Sequence, residues 1–530
     1  MTAFDPNQTL RATYLAQRLP LKSVAFDGLA GRAHGQLIEY SLAKLCMFDT
    51  MTFSKGRAVM ISVRKTWHQI AAMTALAMAQ FFNPVMSSAW AETNTSGLVI
   101  EAPIDDQVLI DLLNAPTPRK VDQAIRDIRR AWTPALIPQL LEIAATTRSA
   151  YSITEIYDLL KRQTRQRYGT NLNGWYTYLW NQPEQITDNY GDFKAFLYAA
   201  IDPRFAAYFE GRQDTALIRL DEIRWGGVGQ DGIPPLRQPE MISAEAATYL
   251  NDDDIVFALE INGDARAYPK RILAWHEMFV DTIGGVDIAG VYCTLCGTVI
   301  PYETEIDGVK LDFGTSGFLY RSNKLMYDRQ TSSLWNTFSG EPVLGPLAGQ
   351  NIKLTYHPII TTRWSEWKRL HPDTKVLSLA TGHQRDYGEG VAYNAYFSTD
   401  RLMFNTPFRD DRLKNKQEVL ALRFPGAPKD QLAIDTDYLT QNPILIDSIG
   451  LQDFVVLTDR SGANRVYERG AVDFVSYDGD RSLVDHSGTQ WQLEENQLIS
   501  ETDQTLARLP AHRAFWFGWR AAFPDTRLLK

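Results

Sequence analysis

Val286-Asp-Ile-Ala-Gly-Val-Tyr292 leads into Cys293-Thr-Leu-Cys296-Gly297, and Gly297-Thr-Val-Ile-Pro301 follows. The first run is β-like in its branched and aromatic content. The last does not read as a helix. A Cys-x-x-Cys pair set this way sits in sheet, not at the helix start of a βαβ unit. The texture around it agrees. After about residue 220, short β-rich runs such as Ile255-Val-Phe-Ala-Leu-Glu-Ile261 are separated by Gly, Asp, Asn and Pro turns. This predicts an α+β region dominated by antiparallel sheet.

Upstream the pattern is helical. Ile104 to Leu113, Val121 to Trp132, Ala135 to Ala145 and Ile153 to Gln163 carry apolar residues at helical spacing, with Pro116, Pro118 and Pro134 as punctuation. Short helices in pairs over residues 100–200 predict a small all-α solenoid-like module of the HEAT or armadillo kind. Such modules act as docking surfaces, so a protein partner is expected there. Trp175, Tyr176, Tyr178 and Trp180 at its end read as core and cap.

The second half matches itself. Trp364-Ser-Glu-Trp367 precedes Pro372-Asp-Thr374 and Leu377; Trp516-Phe-Gly-Trp519 precedes Pro524-Asp-Thr526 and Leu529, at identical spacings. Val291 to Glu303 aligns with Val456 to Glu468, and Asp312-Phe313 with Asp473-Phe474. Two copies of one module are expected, the first within residues 220–380, the second over 415–530, joined by 381–414. On this alignment Cys293 falls opposite Thr458, Cys296 opposite Ser461, His276 opposite Asn442 and Met326 opposite Leu483, while Gly297 meets Gly462. A scaffold that stands without the cysteines does not need them for folding.

The chain has 530 residues, a net charge of −9 and 45% hydrophobic residues. Its length suggests three or four domains. The acidic balance and the lack of a basic cluster argue against a nucleic-acid partner. Arg64 and Lys65 precede the mostly apolar run Ile70 to Phe82, Pro84 breaks it, and Ala89-Trp-Ala91 offers small residues at a cleavage site. Residues 60–91 therefore read as a signal peptide. Residues 1–59 read as an over-long start, with Met51 or Met60 the true one, or as an N-terminal extension that turns the run into an uncleaved anchor. Cleavage after Ala91 removes Cys46 and leaves Cys293 and Cys296 in a periplasmic or extracellular protein with no membrane span, where a disulfide is permitted.

Asp231-Gly-Ile-Pro-Pro235, Ala267-Tyr-Pro269, Trp275-His-Glu277, Tyr292-Cys-Thr-Leu-Cys-Gly297, Phe313-Gly-Thr-Ser-Gly317, Met326-Tyr-Asp-Arg329 and Ser333-Leu-Trp335 resemble the DUF3179 family. The resemblance runs from about residue 220 to the C-terminus. It implies an exported or membrane-associated protein and supplies no reaction. The Cys-Pro-Leu-Cys usual in that family reads Cys-Thr-Leu-Cys here.

Three chemistries fit the cysteine pair. Two thiolates with His276 and Met326 make a soft donor set for copper, with zinc second. The spacing also suits a thiol–disulfide oxidoreductase. The bland alternative is a structural disulfide in a binding or scaffold module; its four-residue loop gains little entropy. Glu277 beside His276 reads as a general base or an orienter. Asp328 reads as structural, because Asp485 takes its place in the second copy. Arg329, with His486 opposite it, stays open; Ser316, Tyr320 and Arg321 read first as loop structure and second as the lining of a pocket. His357, His371 and His383 read as ordinary surface or hydrogen-bonded histidines. No nucleophile elbow, Walker loop or dinucleotide fingerprint is present.

Overall fold

The computed structural model describes residues 105–530. The start codon, signal peptide and cleavage site read above lie outside the described residues. Helices and several antiparallel sheets share the described chain. Among the described residues, no helix is long and apolar enough to cross a membrane.

The N-terminal part is helical: Asp106–Asn114, Pro118–Arg130, Ile137–Thr146, Ala150–Thr164, Leu172–Trp180 and Tyr190–Ala199. Their starts follow local chemistry. The Asp105, Ser149 and Asn171 side chains accept backbone N–H groups of the first turns, and Pro118 sits where its missing N–H costs nothing. The helices do not close a core of their own. Leu140, Leu160, Trp175 and Tyr198 share one buried cluster with the strand residues Phe318, Leu325, Tyr327 and Leu334. Phe318 is met edge-on by Tyr198, Phe205 and Phe209, with ring centroids 4.8–5.1 Å apart. Inside this core, Lys194 lies 2.5 Å from Glu142 and donates to the Ile223 carbonyl, while Tyr190 and Tyr198 also donate to Glu142. A buried pair of charges is tolerable only when so fully bonded.

The sheets come as two matching sets. In the first, Leu236–Arg237, Met278–Ile283, Val286–Cys293 and Thr298–Glu303 are neighbours in that order. In the second, Ile444–Ile449, Gln452–Thr458 and Asn464–Glu468 repeat the last three. Lys375–Leu377 runs parallel to Asp264–Pro269, as Arg527–Leu529 does to Gln431–Asp435. Side-chain bonds match as well. Trp335 donates to Asp328 and Trp491 to Asp485, each at 2.9 Å. Trp367 donates to Thr374 at 2.8 Å and Trp519 to Thr526 at 2.9 Å. The residue types that looked like scaffold in the self-comparison are the ones making these bonds.

One buried cluster joins the two sets. It holds Cys293, Cys296, Ile300, Met326 and Trp335 from the first, and Val419, Ala514, Phe515, Trp516 and Trp519 from the second.

Candidate functional site

Cys293 is the last residue of the strand Val286–Cys293 and pairs across the turn with Thr298. The Cys296 N–H returns to the Cys293 carbonyl at 3.1 Å and closes the turn. Gly297 follows at φ +61°, with the Phe515 ring 2.9 Å from where a Cβ would stand, so only glycine fits. Cys296 Sγ lies 3.4 Å from the Ser322 carbonyl, and its own carbonyl accepts the Phe515 N–H at 2.7 Å. On the far side, Gly518 leaves the space its sulfur fills: a Cβ there would come within 2.9 Å of it. Cys293 Sγ accepts the Lys324 N–H at 3.5 Å. Both cysteines are free, and 2% and 0% exposed.

The two sulfurs differ in charge preference. Burial pushes the Cys293 thiol up, but the neighbouring Cys296 side chain and the nearby N–H groups of Lys324 and Cys296 favour its charged form. The net result is a lowered pKa despite the nearby Glu277 carboxylate. Burial and the neighbouring Cys293 sulfur push Cys296 well up. Of the two thiols, Cys293 is therefore the readier to ionise.

Beneath the turn lies a buried ion pair. Lys324 Nζ donates to the Glu277 carbonyl at 2.6 Å and stands 3.4 Å from its carboxylate. Burial lowers the Lys324 pKa, and Glu277 and Cys293 oppose that fall. Tyr393 OH donates to the other Glu277 oxygen at 3.3 Å. Glu277 itself ends the helix Lys270–His276 in the left-handed region, φ +54°. Around the turn, the buried hydroxyls of Tyr292, Thr294, Thr298 and Ser322 have no hydrogen-bond partner.

The donor set expected for a metal is not assembled in this way. His276 is buried, but both ring nitrogens are engaged elsewhere: Nδ1 with the Pro234 carbonyl at 2.9 Å and Nε2 with Tyr387 OH at 2.6 Å. Burial holds its pKa down at about 4, with His383 and Arg385 adding to the effect. Met326 is buried in the same cluster as the thiols, two residues along its strand from Lys324. Among the described residues, no group of three or more His, Cys, Asp or Glu side chains is placed to hold a metal ion.

The remaining residues singled out by sequence have plain partners. Asp328 is tied to Trp335 and Thr331. Ser316 bonds the Leu325 carbonyl, and Arg321 pairs with Glu222. Arg329 reaches Asp231 and Asp312, and His357 reaches Glu303. His371 lies between Glu260 and Glu495, and the His383 ring lies 5.1 Å from that of His276. Lys324 and Tyr393 were missed. The signal for Lys324 was a lone lysine inside Asn323-Lys-Leu-Met-Tyr-Asp328, a strand buried throughout.

Backbone bonds correct the self-alignment by one residue. Tyr292 N–H bonds the Glu277 carbonyl, and Thr458 N–H bonds the Pro443 carbonyl, both at 2.9 Å. Asp281 and Asp447 each accept the next N–H at 2.8 Å. Thr458 therefore stands for Tyr292, and Asp459, not Thr458, stands for Cys293. The second turn is one residue shorter, which ungapped alignment could not register. Asp459 is buried, is bound to Arg465 at 2.9 Å, and accepts the Ser461 hydroxyl at 2.6 Å. Ser461 stands for Cys296.

No curated protein and no solved structure matches the chain. A family model does: DUF3179, protein of unknown function, over residues 230–526, which takes in both sets of sheets and more than half of the sequence. The chain belongs to the DUF3179 family.

Proposed function

We propose that Cys293 and Cys296 form a thiol–disulfide exchange centre in an exported protein, with Cys293 as the attacking thiolate. The observation that carries this is the exchange of residues between the two turns. Where the second set of sheets buries a carboxylate held by Arg465 and a serine hydroxyl, the first buries the Cys293 sulfur beside the Lys324 N–H. Ile300 stands where Arg465 does, so the first turn lacks that cation; there the Lys324 N–H beside the Cys293 sulfur favours the charged form, which is the nucleophile of an exchange.

The exchange balances as follows. Cys293 thiolate attacks one sulfur of a disulfide in a protein or small-molecule substrate. The substrate S–S bond breaks, and the departing thiolate takes a proton from solvent. Cys296 then loses its proton and attacks Cys293, expelling the second substrate thiolate. The substrate disulfide is reduced by two electrons and the Cys293–Cys296 dithiol is oxidised. A soft-metal site, copper before zinc, is the second reading: Met326 shares the buried cluster of the two sulfurs, while the ring of His276 is engaged elsewhere.

Export to the periplasm or outside the cell rests on the N-terminal sequence pattern. Such a compartment supplies disulfides as substrates. The helical segment, read as HEAT-like, is the expected surface for a protein partner.

Equilibration in glutathione redox buffers tests the centre. Mass spectrometry should show Cys293 and Cys296 converting together between dithiol and disulfide in the folded protein, with Cys293→Ser unable to form a mixed disulfide. Failure of the pair to interconvert in native protein would overturn the reading. So would metal retained by wild type and lost from Cys293→Ser, Cys296→Ser.

A further inference from the structure

The two sets of sheets differ by one strand. In the first, Leu236–Arg237 runs parallel to Met278–Ile283 along its outer edge, and the Gln238 N–H bonds the Val280 carbonyl at 2.7 Å. In the second, Ile444–Ile449 takes the place of Met278–Ile283 and, among the described residues, is left as an edge. We propose that this edge docks an extended segment of a partner protein, which adds as a parallel strand and presents an apolar residue followed by an arginine. The site stands apart from the thiol chemistry.

Backbone geometry shows the open place. The Pro443 carbonyl takes the Thr458 N–H, as that of Glu277 takes the Tyr292 N–H. Counting on through the antiparallel ladders, Ile446 stands for Val280 and turns its own N–H and C=O outward. Among the described residues, nothing bonds them. The next outward carbonyl, that of Ser448, is capped by the Arg527 guanidinium at 2.6 Å, as that of Thr282 is by Arg266 at 3.1 Å. The two edges are therefore finished alike except where the added strand would lie. Natural sheets blunt a bare edge with Lys, Pro or a bulge. Ile444-Leu-Ile-Asp-Ser-Ile449 has no Lys and no Pro, its ladder is unbroken, and Ile446 and the turn residue Leu451 are exposed.

Charge complementarity selects the occupant. In the first set Arg237 pairs with the Asp312 carboxylate and donates to the Phe313 carbonyl at 2.6 Å. Asp473 and Phe474 hold the same places in the second. The Asp312 and Asp473 carbonyls accept the N–H groups of Arg329 and His486, and Phe313 and Phe474 pair with Asp328 and Asp485. The Asp473 side chain is 67% exposed; its cation, Arg469, reaches the Val472 carbonyl and not that of Phe474. Ile444–Ile449 lies beside Phe474–Tyr477 as Met278–Ile283 lies beside Phe313–Tyr320. An arginine opposite Ile446 thus meets Asp473 as Arg237, opposite Val280, meets Asp312. Ser476 stands for Gly314, whose missing side chain admits Asp231 in the first set. The likeness therefore covers the Leu-Arg-Gln stretch and not the Asp-Gly turn before it.

The test uses the full chain, with a labelled peptide of blocked ends and the sequence Ile233-Pro-Pro-Leu-Arg-Gln238 as the probe. Fluorescence anisotropy reads binding, and hydrogen exchange reads its place. Binding should saturate and slow exchange over residues 444–449, not 278–283. Methylating the peptide's glutamine N–H, the donor that Val280 takes in the first set, should abolish binding with the protein untouched. Glutamate in place of the peptide's arginine should weaken binding by at least about tenfold. Asp473→Lys should recover that glutamate peptide and lose the original one. No saturation, equal binding of the methylated peptide, or protection elsewhere overturns the proposal. So does slow exchange over 444–449 before any peptide is added. If that protection fades on dilution, the occupant is a second copy of the chain; if it persists, the chain fills its own edge.

Discussion

Cys296 has no room to spare. Its sulfur fills the notch left by Gly518, and its carbonyl takes the Phe515 N–H. Adding one methyl group at residue 518 forces either the sulfur or the helix Trp516–Ala522 to move. Gly518→Ala should cost about 1–3 kcal/mol, and Cys296→Ala should recover part of it, because the sulfur contact goes while the Cβ stays 3.1 Å away. Denaturant unfolding of the two single variants and the double variant checks this as a cycle. Additive effects would show that the sulfur is not seated there. At this scale the sequence was informative about which residues carry chemistry and uninformative about what surrounds them. Cys293 and Cys296 stood out by spacing. Lys324 lies far along the chain from them, and only the fold of the hairpin brings its N–H to a sulfur. His276 looked like a ligand because Asn442 stands opposite it in the second copy and its imidazole would complete a soft donor set with the thiols. The Pro234 carbonyl and Tyr387 instead take up its ring, and Glu277, the residue after it, is the one that faces Lys324 beside the thiols.

The connecting segment between the two sets of sheets is the element with most bearing on access. Tyr387 meets His276, Tyr393 meets Glu277, and Tyr396 donates to the Leu295 carbonyl between the two cysteines at 2.8 Å. The Lys416 ammonium caps the Tyr396 ring at 3.3 Å from its centroid and donates to its carbonyl. Three phenols thus pin an otherwise irregular chain across the turn. Tyr396→Phe removes one net hydrogen bond, worth about 1 kcal/mol. If the segment opens locally, alkylation of the thiols in native buffer should quicken by about fivefold, the factor matching that energy. Labelling that keeps the wild-type rate and follows only global unfolding would show that the segment is not the cover. Elements of this kind are hard to read from sequence. The strands before and after the turn announced themselves by composition, and the repeated Trp-x-x-Trp helices by spacing. The connection has no period and no strong propensity, and its tyrosines gain meaning only from what they touch. The one-residue difference between the two turns was hidden for a related reason. Residues aligned on either side of a gap look well matched even when the residue at the gap is assigned to the wrong strand position.

For the whole molecule, buried histidines set the acid side of stability. Burial in the aromatic contact of Phe338 and Trp519, with Arg423 nearby, holds His512 at about 3. An unfolded histidine takes its proton near 6.5. The folded state therefore keeps its full advantage above about pH 6.5 and loses it as pH falls toward the lowered value. The loss is at most about 1.4 kcal/mol per pH unit for this residue. His276 acts in the same direction. His371 acts in the opposite one: burial pulls it down, but Glu260 and Glu495 raise it further, so its support is complete at low pH and fades as pH rises. Between pH 6.5 and 5, two lowered histidines outweigh one raised one. Unfolding free energy should fall across that window, and His512→Leu should flatten the fall. A wild-type curve that rises toward pH 5 would contradict this account. None of these directions was available from the sequence, where all three residues were only histidines; what assigns them is which of them a carboxylate can reach.

His371 and Glu495 belong to different sets of sheets, and so do the sulfur of Cys296 and the helix it rests on. The C-terminal fifth of the chain thus works as a stopper for the thiols. Whatever loosens that part, whether heat, tension or a bound protein, uncorks the sulfurs in the same motion, and whatever tightens it leaves them sealed.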